Sequence, residues 1–258
     1  MPTAQPRIAF QCAMKLLSYT ENMSEHLSSK RYTGPLTPAQ AAAGIDVATR
    51  TARGLLGDAE LLLENKRWER ATALAILAIE EMGKVEILRS ILLARDAAEL
   101  EMEWRAYRSH MKKNLAWIFL DLVRMGARKL EEFKPIFDTR SGHGKFLNAV
   151  KQESFYSNIS DEGEWLSPEQ RIKPELAGKV FIVARTLVRE GPSAMTSEAE
   201  LKLWVRHLSP VWRGTIPEMK KALAACYAEA EAKGVLQGKT TAAEMLSFLY
   251  EDSTSLEQ

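Results

Sequence analysis

The chain has little of what would mark several common classes of protein. Its 258 residues include two cysteines, Cys12 and Cys226, widely separated in sequence. That excludes a disulfide-stapled fold, and with only four scattered histidines it argues against a zinc site. No cofactor or metal is expected. The longest apolar run, inside Ala71–Ile79, is about half of what a membrane span needs. Pro6, Arg7 and Lys15 interrupt the N-terminal segment, which lacks the layout of a secretion signal. A cytoplasmic location without membrane partners is therefore expected. The formal net charge of +1 gives no bulk argument for or against nucleic acid, so any basic surface must be local. There is no regular strand–helix alternation, repeat or low-complexity tract. Ser141-Gly142-His143-Gly144-Lys145 looks superficially like a phosphate loop but lacks both the preceding strand and the required spacing.

What is present is ordinary globular material, 46% hydrophobic and 27% charged, enough for a sizeable core. The chain is organised around Arg67–Arg95, RWERATALAILAIEEMGKVEILRSILLAR. Strong helix formers fill it, proline is absent, and apolar residues recur three and four apart. We read one long helix, buried over most of its circumference. The charged cluster Glu80-Glu81-Met82-Gly83-Lys84 interrupts its middle. Lys84 can pair with Glu80 or Glu81 inside the helix. At least one carboxylate then needs a partner on another helix, because desolvating an unpaired charge is costly.

Leu36-Thr37-Pro38-Ala39-Gln40 is a helix start, with Thr37 as cap, Pro38 in the first position and Gln40 in the third. The helix it opens runs to about Glu64 and returns through Asn65-Lys66 as an αα-hairpin with Arg67–Arg95. A third helix is expected over Ala97 to about Met125, and a shorter piece over Arg128–Phe137. Helical turns over Lys145–Glu153 precede a small β-hairpin near residues 154–168. We expect Tyr156 and Trp165 to pin that hairpin onto the bundle. Glu169–Glu190 is helical with a restart near Pro174, stopped by Gly191-Pro192. Further helices are expected from Thr196-Ser197-Glu198-Ala199-Glu200 to Leu208, over Pro217–Ala232 and over Thr240–Tyr250. The fold class is mainly α. Residues 1–36 form an N-terminal appendage, 37–190 the helical domain with its hairpin, and 191–258 a C-terminal helical extension on the same body.

Arg105-Ala106-Tyr107-Arg108-Ser109-His110 is the second polar feature. On one helix Arg105 and His110 stand roughly 140° apart, within reach of one groove for a long arginine. His110, Lys113 and Asn114 share a face. The groove against the central helix can gather Glu80, Glu81, Lys84, Arg105, His110 and Lys113, with Arg108 and Asn114 beside them. Such a set suits phosphodiester cleavage of RNA. Histidine exchanges the proton, a carboxylate orients it, and cations stabilise charge building on phosphorus. The candidate catalytic residues are Arg105, His110, Glu80 and Glu81. Lys84, Arg108, Lys113 and Asn114 are the candidate substrate contacts. Purely structural ion pairing at Glu80–Lys84 is the competing account, and Gly83 is read as a packing glycine. His207 is read as a capping or surface residue.

The run from Thr37 through LENKRWERATALAILAIEEMGK resembles the abortive-infection proteins of the AbiV type. Trp104, His110 and Lys113 are similar to that family's aromatic–His–Lys stretch. Lys151-Gln152-Glu153-Ser154-Phe155-Tyr156 through Trp165-Leu166-Ser167-Pro168 resembles a later signature of the same family. These landmarks extend from about residue 37 to 190. The resemblance implies a HEPN-like (higher eukaryotes and prokaryotes nucleotide-binding) helical bundle. It also implies a dimeric, metal-independent ribonuclease with an Arg-x(4–6)-His motif. Arg105 and His110 match that motif in its loosest form, with Ala106 where a polar residue is usual. The implied partners are a second copy of the chain, an RNA substrate and a phage-encoded activating protein. The expected function is antiphage defence by an RNA-cleaving toxin. The alternatives are a non-catalytic defence protein that binds a phage or host protein, and a nucleotide-binding module in which Lys84, Arg105 and Lys113 hold phosphates.

Overall fold

A computed structural model describes residues 31–114, 143–192, 194–237 and 241–244. Most of the N-terminal appendage, the expected helix over 128–137 and most of the one over 240–250 lie outside the described residues. Backbone contacts divide the chain into two compact units, Met1–Gly34 and Pro35–Gln258, and all the elements named below belong to the second.

The long hairpin comes first. Helix α1, Pro38–Glu64, opens with the expected capping box: the Thr37 hydroxyl accepts from the Gln40 N–H, and the Gln40 side chain accepts from the Thr37 N–H. At its other end the Asn65 amide donates to the Leu61 carbonyl at 2.8 Å. Lys66 takes a positive φ of 57° in the turn to helix α2, Trp68–Leu92. Ala41, Ala48, Ala52 and Ala59 of α1 are buried, as are Ala71, Ala73, Ala75 and Ala78 of α2. Small side chains there let the two helices approach closely.

Helix α2 is buried on nearly every side because two apolar cores share it. Its first half, with Ile76, Ile79 and Met82, packs in a core with Leu147, Val180 and Phe181. Its second half, with Val85, Leu88 and Ile91, belongs to another core with Trp104, Leu201, Leu208 and Tyr227. The charged cluster of Glu80 to Lys84 sits at the waist between them.

Helix α3 covers Ala97–Arg108, capped by Asp96, and helix α4 covers His110–Lys113. The expected single helix over Ala97–Met125 is thus broken. Ser109 leaves helical geometry at φ −86° and ψ 119°, and its hydroxyl accepts from the Lys112 N–H at 3.4 Å. A serine side chain that can cap a new helix competes with continuation of the old one.

Helix α5, His143–Phe155, leads to the two-residue strands β1, Asn158–Ile159, and β2, Trp165–Leu166. They pair antiparallel, with Asn158 opposite Leu166 and Ile159 opposite Trp165. The expected pinning of this hairpin by aromatics is overturned. Tyr156 is 63% exposed, Trp165 75% and Ile159 52%. The ring faces that should have met the bundle meet solvent.

Helices α6, Pro168–Arg171, and α7, Pro174–Glu190, realise the restart at Pro174, and Gly191 ends α7 at a φ of 66°. Helices α8, Glu198–Leu208, and α9, Ile216–Ala232, follow, joined through a 3-10 turn at Ser209–Val211. Ser197 and Glu200 form the capping box of α8. The buried Glu200 also accepts from the Gln237 N–H at 3.0 Å. Buried Arg89 of α2 donates to the carbonyls of Ala194 and Met195, which holds the α7–α8 loop on the same body. The architecture is a mainly α-helical bundle with a small β-hairpin and added C-terminal helices.

Candidate functional site

Glu80 is the carboxylate that finds no partner inside its own helix. Lys84 Nζ lies 2.5 Å from Glu81 Oε1 and 5.4 Å from the Tyr107 ring centroid, so Glu81 and Lys84 satisfy one another. Glu80, 2% exposed, turns instead toward two other helices. Its Oε2 is 2.6 Å from His110 Nδ1 of α4, and its Oε1 accepts from Lys151 Nζ of α5 at 2.6 Å. Asn114 donates its amide to Oε1 at a long 3.4 Å, and Lys113 Nζ stands 3.8 Å from Oε2. Lys151 Nζ is also 3.0 Å from His110 Nδ1. One carboxylate therefore organises a histidine, two lysines and an amide.

Gly83 makes this geometry possible. A β-carbon there would lie 1.9 Å from the Lys113 carbonyl oxygen. Helix α4 lies directly on the backbone of α2, one turn beyond Glu80. The packing role expected of Gly83 thus acquires a definite neighbour.

Burial differs across the set. Lys151 and Lys113 are buried, and Asn114 is fully so. The His110 side chain is 55% exposed, with Glu80 against its Nδ1. Burial, with help from the Lys84 and Lys151 ammonium groups, pushes Lys113 below the ordinary lysine range despite the pull of Glu80 and Glu81. With Glu81 and Lys84 paired, Glu80 alone faces two lysines. Among the described residues the cluster carries surplus positive charge, which suits an anion.

The other expected residues stand apart. Arg105 reaches back along α3 to Glu101 Oε1 at 2.5 Å, and its side chain is 71% exposed. Among the described residues it makes no hydrogen bond to His110 or Glu80, because the break at Ser109 removes the helical register that linked them. Arg108 is exposed at the end of α3, two residues before His110. Lys151, by contrast, joins the site although its place in a family-like motif assigned it no role. Its position held a clue: Leu147, Val150 and Ser154, all buried, share its side of α5, and a lysine on a buried stripe needs a counter-charge.

The AbiV family model (HEPN_AbiV) matches residues 40–189, more than half of the chain. The chain belongs to the AbiV family. The match spans α1 to α7 and so includes every side chain around Glu80. No curated protein and no solved structure matches the chain significantly. Among the described residues of this AbiV-family chain, no helix is long and apolar enough to cross a membrane. Nor do three or more histidine, cysteine, aspartate or glutamate side chains converge among them in a way that would hold a metal ion.

Proposed function

We propose that this AbiV-family protein is an antiphage defence protein that cleaves RNA, with His110 as its proton-transferring residue. The observation that carries the reading is the 2.6 Å contact between Glu80 and His110 Nδ1 on a side chain that is 55% exposed. A buried carboxylate fixes one ring nitrogen and leaves Nε2 for the substrate. That is the arrangement general acid–base catalysis requires.

In the forward step Nε2 takes the proton of a ribose 2′-hydroxyl. The 2′-oxygen bonds to phosphorus, the bond to the 5′-oxygen breaks, and that oxygen leaves with a proton from an imidazolium. The products are a 2′,3′-cyclic phosphate and a 5′-hydroxyl. That imidazolium is the His110 ring that has just taken the 2′-hydroxyl proton, so one neutral histidine serves first as base and then as acid. In a homodimer the two copies of His110 face a shared cleft. Surplus positive charge from Lys113 and Lys151 favours the phosphate, and the exposed Arg105 and Arg108 provide outer contacts for its developing charge. Arg105 must leave Glu101 to do so, at small cost for so exposed a pair. A phage-encoded protein is the proposed trigger.

A different observation favours a second reading. Arg105 is committed to Glu101, while Tyr156, Ile159 and Trp165 present apolar surface to solvent. Both features suit a non-catalytic protein that binds a phage or host protein.

The deciding experiment incubates purified protein with a mixed RNA pool in EDTA and compares wild type, H110A and R105A, each checked by size exclusion. Loss of cleavage in correctly folded H110A, with at least a tenfold reduction in R105A, supports the nuclease. Cleavage unchanged in H110A overturns it. A wild type inert both alone and with phage-infected lysate favours the binding protein.

A further inference from the structure

We propose that Lys151 keeps the His110 imidazole neutral, with its single proton on Nδ1, by neutralising Glu80 through the opposite carboxylate oxygen. This deepens the nuclease reading and rests on it for its purpose, but the protonation state is measurable without RNA.

The contacts divide Glu80 in two. Oε1 is taken by Lys151 Nζ at 2.6 Å, and Oε2 lies 2.6 Å from His110 Nδ1. Nδ1 has both the Oε2 acceptor at 2.6 Å and the Lys151 Nζ donor at 3.0 Å, and the shorter contact decides. An unprotonated Nδ1 would set two acceptors against each other there, so the ring proton sits on Nδ1 and is donated to Oε2 while Lys151 donates to Oε1. The lone pair is then on Nε2, where a base needs it. Without Lys151 the buried carboxylate would draw a second proton onto the ring. The resulting imidazolium has no lone pair and cannot act as a base.

Lys151 prevents this in two ways. It supplies Glu80 with a counter-charge from inside the fold, where it is 4% exposed. Its ammonium, 3.0 Å from Nδ1, also opposes a second positive charge on the imidazole. Among the described residues Lys151 is the cation closest to Glu80 and to the ring nitrogen. Lys113 is 3.8 Å from Oε2, beyond hydrogen-bond range, and its own ammonium is disfavoured by burial. Lys84 is paired with Glu81 and Arg105 with Glu101, and Arg108 faces solvent. Lys151 acts through Glu80 and the ring, so it is a positioning residue.

The test is nitrogen NMR of the full-length protein labelled with 15N-histidine, with His110 assigned by its loss in H110Q. At alkaline pH, where a histidine ring is neutral, wild type should show the proton on Nδ1. K151R keeps the charge and should keep both tautomer and titration midpoint. K151Q keeps a donor to Glu80 but loses the charge, and its midpoint should rise by about one pH unit, a tenfold gain in proton affinity. A wild-type ring protonated on Nε2, or a folded K151Q with the wild-type midpoint, overturns the assignment. Should K151Q fail to fold, E80Q reads the same coupling from the other side. Its ring faces Lys151 without the carboxylate, so the midpoint should fall by about one unit, and an unchanged midpoint overturns the proposal. Wild type that shows this titration but no RNA cleavage, either alone or with phage-infected lysate, sinks the nuclease and leaves Lys151 standing. Cleavage with an unmoved K151Q midpoint does the reverse.

Discussion

The α-carbon of Gly83 and the carbonyl of Lys113 are so close that a β-carbon on Gly83 would stand 1.9 Å from the carbonyl oxygen. Backbone cannot yield there as a flexible side chain would. The contact sets the depth of α4 on α2, and His110 begins α4 while Glu80 lies three residues before Gly83.

Gly83→Ala should therefore displace α4 and separate His110 from Glu80. Alanine is the better helix former by about 1 kcal/mol, so a purely local effect would stabilise the protein. We expect a net loss of about 3 kcal/mol from overpacking, measured by urea denaturation. The His110 ring nitrogens should also lose their asymmetric NMR signature. A variant more stable than wild type would show that α4 is free to move away.

Acid should weaken the contact between α8 and α9 through Glu229. Hydrogen bonds from Lys233 and His207, with the Arg206 charge, hold its carboxyl at about 2, below the ordinary 4.5. The unfolded chain therefore takes up this proton first as pH falls. The stabilisation is complete above the unfolded value and is lost as pH drops through the folded one. Wild type should be more stable than E229Q at pH 7. The difference should shrink between about pH 5 and pH 2 in a series of urea titrations. A difference that does not change with pH would assign Glu229 no part in acid unfolding.

The two tryptophans should respond in opposite ways. Trp104 is 8% exposed within a core, and truncating it to alanine should cost about 3–5 kcal/mol. Trp165 is 75% exposed, and W165A should change stability by no more than about 0.5 kcal/mol. Thermal melts of the two variants compare them directly. A W165A loss as large as that of W104A would restore the pinned hairpin expected from sequence.

Much of the fold was legible because its causes are local. Thr37, Pro38 and Gln40 start α1 through atoms three residues apart, and Ser197 with Glu200 does the same for α8. Pro174 restarts a helix and Gly191 ends it for reasons contained in their own backbones. The charge pattern around Glu80 also made a need for an outside partner visible. The break at Ser109 was harder to read, because serine is tolerated within helices and caps only when the next turn can begin again.

The sequence by itself determined a mainly helical chain, the long hairpin of α1 and α2, and a buried helix with one carboxylate too many. Only the tertiary structure decided which carboxylate that was and what met it. Glu80 and Lys151 are 71 residues apart, and no local rule pairs them. Arg105 left the group because it sits beyond the break that turns α3 away, and Glu101 lies one turn from it. Helix starts depend on neighbours in sequence, whereas a buried ion cluster depends on which helices share a waist between two cores.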